Sequence, residues 1–274
     1  MNTVLLPTDF SQNSYNAIKY ALNLFKYEEC RFVLINAYQT PKAGAAMIVS
    51  IEDLLQEESQ NELGKFKAKL SKELYSAVMD IELESHHGDV VSVLKRMATK
   101  YKADIVAMGT KGASGLKGIF VGSVTAAVMK SISLPLVVVP SDHEFEGVKR
   151  IGLAWDGANH PSAEVFEPLI HLAKVYDAEV DIVHVNKPEE MVTSDGSLSP
   201  DINYMFRKVE HHYKDVENDD VEEGLRSFIE QNDVSLMAMI SRKHDWLDRL
   251  LHGSYSAQML KETEVPMLIL RADD

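Results

Sequence analysis

Apolar residues along this chain occur in two kinds of run, and the two kinds alternate. Short, largely apolar stretches such as residues 4–6, 31–37, 105–108 and 134–139 are strand-sized and lack the strict polar alternation of a half-exposed strand. Between them lie longer stretches with apolar positions at helical spacing, as in residues 15–25 and 124–129. Residues 51–74 show the same spacing at Leu54, Leu55, Leu63, Phe66 and Leu70, which predicts an amphipathic helix packed on a sheet or on a partner. Buried strands alternating with amphipathic helices predict a parallel sheet covered on both faces. In such folds a ligand sits beyond the carboxyl ends of the strands, near a switch point in strand order.

The pattern then repeats. The strand and turn at residues 4–11 return in form at Ile151-Gly152-Leu153-Ala154-Trp155-Asp156-Gly157, 147 positions later. Helical patterns follow at 15–25 and 163–176, and second strands at 31–37 and 179–185. Farther on the shift becomes 131: Ala103 to Met108 answers to Val234 to Met239, Gly122-Ser123 to Gly253-Ser254, and Pro135 to Pro266. The change in shift places about 16 additional residues between the second and third strands of the first copy. Residues 141–147 are polar and predict a linker. The expected architecture is α/β: two tandem doubly wound domains of five parallel strands, spanning 1–140 and 148–272, each running β-α-β-α-β-α-β-α-β.

Composition narrows the function classes. The chain has 274 residues, 45% apolar and 26% charged, enough for ordinary globular cores. Its single cysteine, Cys30, rules out a disulfide framework and favours a reducing compartment; lying between a helix and an apolar strand, it fits a buried thiol rather than a nucleophile. The N-terminus has no basic region, and no apolar run is long enough to span a bilayer, so a soluble, cytoplasmic chain without a membrane partner is expected. A formal charge of −14 disfavours nucleic-acid and anionic-membrane partners. It leaves room for a small anion held by backbone N–H groups.

The strongest chemical signal follows the fourth strand. Met108-Gly109-Thr110-Lys111-Gly112-Ala113-Ser114-Gly115-Leu116-Lys117-Gly118 leads to Gly122-Ser123-Val124 at the start of a helical pattern. Glycines permit close approach of a ligand to the backbone, and a helix N-terminus adds N–H donors and a positive dipole end. Ser123 offers a hydroxyl, and Lys111 or Lys117 a charge, so the loop fits a phosphate cradle; it also fits a flexible loop with a capping serine. It is neither a Walker A motif nor a dinucleotide-binding fingerprint. Asp9, at the end of the first strand, suits either an adenine or ribose contact or, with Ser11, the N-cap of the first helix. Asp156 repeats it in the second half.

The spacing Gly109-x2-Gly112-x9-Gly122-Ser123 resembles the ATP-binding signature of universal stress proteins. Leu6-Pro7-Thr8-Asp9-Phe10-Ser11 is similar to that family's opening strand, Gly88-Asp89 to the motif before its third helix, and residues 135–140 to its closing strand. The resemblance covers both halves and implies the adenine nucleotide alpha hydrolase-like fold. It places adenine near Asp9 and Ala37, walled by Pro7 and Thr8, and ribose near Met108 and Gly109. Phosphates would contact Gly112, Gly122, Ser123 and Val124, with Lys111 in the same loop, and Mg²⁺ or Mn²⁺ accompanying ATP. The family often carries valine where this chain has Ala37. The resemblance further implies a nucleotide-dependent regulatory module in stress response, an intramolecular pseudo-dimer of the two halves, and a homodimer. Slow ATP hydrolysis or self-phosphorylation, suggested by Lys111, Ser114 and Ser123, and a nucleotide-free interaction module are the alternatives.

The second half departs from this pattern. At the shift of 131, Gly109 becomes Ile240, Gly112 becomes Lys243, Gly118 becomes Arg249 and Gly88 becomes Asp219, within the acidic run 217–220. Bulky side chains at those positions obstruct backbone approach to a phosphate, so no family-type ATP site is expected there. The neighbouring pairs His86-His87 and His211-His212 point to opposite strand faces and fit surface histidines rather than a zinc site.

Overall fold

The computed structural model describes residues 3–40, 45–74, 81–110, 122–155, 161–186, 200–241 and 265–272. The chain divides into two compact units, Met1–Phe145 and Glu146–Asp274.

Unit 1 runs β1 (Thr3–Pro7), α1 (Gln12–Leu24), β2 (Arg31–Tyr38), α2 (Ala45–Glu73), β3 (Ile81–His87), α3 (Val90–Tyr101), β4 (Ile105–Gly109), α4 (Ser123–Ser131) and β5 (Leu136–Val139). Its strands are parallel, in the order β3-β2-β1-β4-β5. Every residue of β1 and β4 is buried, as the continuous apolar runs require. Helix α1 lies against β4 and β5, and α2 against β2 and β3. Tyr15 and Phe66 join the two helices edge-to-face, with ring centroids 5.2 Å apart. Helix α3 lies against β1 and β2 and touches α4.

Unit 2 repeats the plan with β6 (Arg150–Ala154), a 3₁₀ turn (Ala163–Phe166), α5 (Glu167–Tyr176), β7 (Glu179–Asn186), α6 (Pro200–Phe206), β8 (His211–Glu217), α7 (Val221–Gln231), β9 (Leu236–Ser241) and β10 (Met267–Arg271). Its order is β8-β7-β6-β9-β10, again parallel. The helix expected between β9 and β10 lies outside the described residues. The single helical pattern over 163–176 resolves into the 3₁₀ turn and α5. Pro168 in the first turn of α5 has no N–H to give, which suits a helix start and not an interior.

The additional residues of the first copy lie where the change of shift put them. Between β2 and β3 stands the 29-residue α2, whereas among the described residues between β7 and β8 there is only the 7-residue α6. At 1.5 Å per residue α2 is about 43 Å long, against about 25 Å for the neighbouring strands. Leu63, Phe66 and Leu70 are buried on the sheet, but Leu54 is 65% exposed. Leu54 stands about 180° around the helix from Leu63 and so faces away from the packed stripe, whereas Leu55, in line with Phe66, is half-buried.

The expected polar linker is also docked. Residues 141, 143 and 145 alternate toward α1: Asn16 Nδ2 donates to the Ser141 carbonyl at 2.7 Å, and Tyr20 meets the rings of His143 and Phe145 at 5.7 and 5.3 Å.

Candidate functional site

In unit 1 the strand order reverses between β1 and β4, and that is where the two strands part. They pair at Val4↔Ile105 and Leu5↔Val106, short of their ends at Pro7 and Gly109. Backbone parity gives the reason. The Asp104 N–H donates to the Thr3 carbonyl at 3.0 Å, so odd residues of β1 face β4, while the Thr8 N–H donates across to Ile35 of β2 at 2.8 Å. Pro7 faces β4 and has no N–H to continue the ladder. Its counterpart in unit 2 is Ala154, and there the register continues to Ala154↔Met239. The β1–β4 pairing of unit 1 therefore ends early at the switch point, where folds of this kind form their ligand crevice.

One wall of the crevice is the turn after β1. Thr8 is buried and Asp9 exposed. Asp9 Oδ1 accepts from the Ser11 N–H at 3.1 Å and from the Ser11 hydroxyl at 2.6 Å, while Ser11 Oγ caps α1 by accepting from the Ser14 N–H at 3.2 Å. Ser11 is therefore the N-cap, and Asp9 orients it from outside the helix. Between them Phe10 takes a left-handed conformation, φ 63°. Its N–H donates to Thr8 Oγ1 at 3.0 Å, and Ser14 Oγ donates to the Ser11 carbonyl at 2.9 Å. Ser14 has one hydroxyl proton, already used, so in the 2.9 Å contact between Thr8 Oγ1 and Ser14 Oγ it is Thr8 that donates. The polar groups of this turn are closed on one another, which holds Asp9 in one place.

The opposite wall is the end of β4. Met108 and Thr110 are buried, and the Thr110 N–H continues the ladder to Val139 at 3.0 Å. The glycine-rich loop leaves at Thr110 and returns at Gly122, whose N–H donates to the Thr110 carbonyl at 2.6 Å. Gly122, with φ −59° and ψ 148°, is the N-cap of α4 and makes no side-chain cap bond, so Ser123 is the first helical residue rather than the cap. Ser123 and Val124 are exposed in this first turn, where helix geometry directs N–H groups outward along the axis. Thr125 Oγ1 donates to the Gly109 carbonyl at 2.8 Å and is 2% exposed. That carbonyl lies beyond the last β1–β4 pair, so a side chain of α4 takes over where the sheet has opened. Lys111 and Gly112, together with Ser114, Gly115, Lys117 and Gly118, lie outside the described residues.

The floor comes from β2 and β3. Ala37 is half-buried at the end of β2, and Gly88, φ +137°, donates its N–H to the Tyr38 carbonyl at 2.9 Å, a backbone conformation that glycine adopts without strain. Asp89 then caps α3, accepting from the Ser92 N–H at 2.9 Å. The Ser92 hydroxyl, and after it the Ser92 N–H, hold the Asp89 carboxyl below its ordinary range. Burial, and then Glu52 and Asp53 of α2, push the Tyr38 hydroxyl upward. The His87 ring lies tilted at 58° to that of Tyr38 with centroids 5.8 Å apart, and its Nε2 is 3.3 Å from Thr40 Oγ1.

Several of these groups carried no motif in the sequence. Thr110 and Thr125 sit beside named glycines, and Tyr38, Thr40 and His87 line the end of the sheet. Asn36 had a usable signal: it is one polar side chain inside the apolar run of β2, and it is buried. The two histidine pairs do separate by face. His86 Nε2 is 2.6 Å from Glu84 Oε2, while His87 turns to Tyr38 and Thr40; His211 Nε2 is 3.1 Å from Asn203 Oδ1, while His212 Nε2 is 3.6 Å from Glu210 Oε1.

Unit 2 differs at the same strand ends. Ile240 occupies the position of Gly109 as a half-buried strand residue. Asp156, Lys243, Arg249, Gly253 and Ser254 lie outside the described residues. The match of Gly88 to Asp219 is corrected by hydrogen bonding. It is Asn218 whose N–H donates to the end of the neighbouring strand, at the Asn186 carbonyl, 3.1 Å. Because Asp220 caps α7, the turn is one residue longer than in unit 1 and needs no left-handed residue.

The sequence pattern of the universal stress protein family matches this chain twice, over residues 1–140 and 147–271. Universal stress protein MJ0531 of Methanocaldococcus jannaschii is 33% identical over 142 residues, covering 50% of this chain and 80% of that protein. Universal stress protein MJ0577 of the same organism is 29% identical over 154 residues, covering 50% of this chain and 93% of that protein. A crystal structure of a universal stress protein from Archaeoglobus fulgidus matches 100% of this chain and 97% of its own, with a TM-score of 0.69 and 20% identity, a likeness of fold. Among the described residues no helix is long and apolar enough to cross a membrane. With both halves matched and the parallel β3-β2-β1-β4-β5 order in place, the chain belongs to the universal stress protein family as a tandem two-domain member.

Proposed function

We propose that unit 1 binds ATP in the crevice between β1 and β4 and acts as a nucleotide-dependent regulatory module in stress response. Adenine would lie against Asp9 and Ala37, flanked by Pro7 and Thr8, and ribose over Met108 and Gly109. The phosphates would meet Gly122, Ser123 and Val124 and the loop holding Lys111 and Gly112, with Mg²⁺ or Mn²⁺ balancing their charge. The observation that carries this reading is the 2.6 Å bond from the Gly122 N–H to the Thr110 carbonyl. It seats the first turn of α4 at the end of β4, beside the place where β1 has parted, so backbone donors and the positive end of the helix face the opening. Gly122, as the N-cap, brings no side chain of its own to that turn, which suits an anion in the cap position. In unit 2 the continued β6–β9 register and Ile240 work against a site of the same kind.

The test is mass spectrometry of nucleotide released from freshly purified, acid-denatured protein, beside a Gly122→Val variant. ATP or ADP near one equivalent per chain, lost in the variant, supports the reading. A chain that carries none, and that millimolar ATP does not stabilise against heat, removes it. Phosphate release above that of a Ser123→Ala variant would move the protein toward slow hydrolysis.

A further inference from the structure

A buried polar chain crosses the floor of the crevice, and none of its members belongs to the ligand contacts proposed above except Thr8. Asn36 Nδ2 donates to the Thr8 carbonyl at 2.8 Å, Ser59 Oγ of α2 donates to Asn36 Oδ1 at 2.8 Å, and Ser85 Oγ of β3 donates to Ser59 Oγ at 2.7 Å. Thr8, Asn36 and Ser59 are 6%, 7% and 4% exposed, so the Asn36–Thr8 and Ser59–Asn36 bonds are made away from bulk water, where an unmet partner is costly. The direction of the chain matters. A Ser59 hydroxyl that donates to Oδ1 fixes which end of the amide faces Thr8; with the amide turned over, two oxygens would oppose each other.

We propose that Asn36, oriented by Ser59, is a positioning residue for base recognition, and this rests on the nucleotide reading above. The Thr8 carbonyl and the Asp9 N–H belong to one planar peptide, so holding the oxygen sets the plane from which Asp9 departs. The next residue, Phe10, is left-handed, and the Asp9 carboxylate is engaged with Ser11. A tilt of the Thr8 peptide therefore moves the carboxylate relative to Ala37 across the crevice. The second half of the chain makes the same bond with different chemistry. His184, which stands on β7 where Asn36 stands on β2, places Nδ1 3.0 Å from the carbonyl of Trp155, the counterpart of Thr8. Because a carbonyl only accepts, Nδ1 carries the proton there. Two unlike side chains on the second strand thus take the first carbonyl beyond the first strand, which marks the bond as a device of this turn and not a coincidence of packing.

The experiment uses the full chain as wild type and as Asn36→Ala, Asn36→His and Ser59→Ala. Its first readout needs no nucleotide: hydrogen exchange at the Phe10 and Ser11 amides, which the turn protects. Exchange should accelerate about tenfold in Asn36→Ala, the equivalent of one lost hydrogen bond, and return toward wild type in Asn36→His, which copies His184. The second readout is affinity for ATP, GTP and inorganic triphosphate. Asn36→Ala should weaken ATP about tenfold on the same basis, narrow its margin over GTP and leave triphosphate unchanged, with Ser59→Ala between it and wild type. Asn36→His should restore the ATP preference. Unchanged exchange and unchanged ATP affinity in Asn36→Ala would overturn the proposal, as would equal losses for ATP and triphosphate. Should the wild type bind no nucleotide, the ATP reading falls, and the exchange readout still decides whether Asn36 holds the turn.

Discussion

Thr125 is the side chain on which the seating of α4 depends most directly, and replacing it by valine isolates one bond. Valine keeps the volume and both branches but deletes the hydroxyl that donates to the Gly109 carbonyl at 2.8 Å. That carbonyl lies past the end of the β1–β4 register, and Thr125 is 2% exposed, so water does not replace the donor. A buried acceptor stripped of its partner costs about 1–3 kcal/mol. Thr125→Ser is the control, because it keeps the donor and loses one buried methyl, at about 1 kcal/mol by analogy with Ile→Val. The two variants should therefore lower the stability of unit 1 by comparable amounts, and opening free energies from native-state hydrogen exchange in β4 and β5 measure this. A loss of about 1–2 kcal/mol appears there as roughly five- to thirtyfold faster exchange. They should differ in ATP affinity. Valine releases the first turn of α4 from the end of β4 and should weaken binding several-fold, whereas serine should leave it within a factor of about two, since the bond that sets the geometry survives. Identical ATP affinities for the two variants, or a valine variant as protected as wild type, would refute the reasoning.

Pro7→Ala restores the N–H that faces β4. It should weaken nucleotide binding while changing stability by less than about 1 kcal/mol, because a gained ladder bond offsets the lost stiffening of the unfolded chain; tighter ATP binding would contradict this. In unit 2, a Cβ added at Gly152 would lie 2.6 Å from Met237 Sδ, so Gly152→Ala should cost about 1–3 kcal/mol in urea unfolding followed by tryptophan emission. Both tryptophans, Trp155 and Trp246, belong to that unit, and the double variant with Met237→Ala should lose less than the sum of the two single losses. Burial, and then the Glu28 carboxylate, push the Cys30 thiol up to about 11, so alkylation at pH 8 should run roughly a hundredfold slower than for an unfolded thiol and speed up in denaturant. Asp89 has a folded-state pKa below its unfolded value. Its contribution is thus full above the unfolded carboxylate range and is lost as pH falls through the folded pKa. The gap in thermal midpoint between wild type and Asp89→Ala should accordingly shrink from pH 6 to pH 3.

The parallel fold and its duplication were legible because they rest on features that repeat in one dimension. Strands buried on both faces write continuous Val, Ile and Leu runs, and two copies of a run at a constant offset need no knowledge of contacts. Helix termini were harder. Asp9 and Ser11 are both good caps by composition, and only the bond from the Ser14 N–H to Ser11 Oγ settles which one acts. The exposure of Leu54 follows from spacing once the helix is fixed, because it lies about 180° around α2 from Leu63, while Leu55 is in line with Phe66. Asn36, Ser59 and Thr125 were missed for a related reason: each is an ordinary residue type, and Asn36 and Thr125 matter because each meets a backbone carbonyl that the sheet leaves unmet, Ser59 because it holds the Asn36 amide.

The two halves of the chain show how little a fold needs to change for a site to open or stay closed. Both have the same strand order, both bond the first carbonyl after the first strand from the second strand, and both cap the helix after the third strand with an aspartate. They diverge where the sheet meets the switch point. In unit 1 a proline withholds one N–H, the β1–β4 register ends at Leu5↔Val106, and the Gly109 carbonyl beyond it is taken by Thr125. In unit 2 an alanine supplies that N–H, the register runs on to Met239, and Ile240 stands where a glycine would let a ligand approach the backbone. Both differences are local: the first is worth about one hydrogen bond, and the second is one side chain at a strand end. A duplicated domain can therefore change its switch point while keeping its strand order, which is how the nucleotide site proposed for one half could be missing from the other.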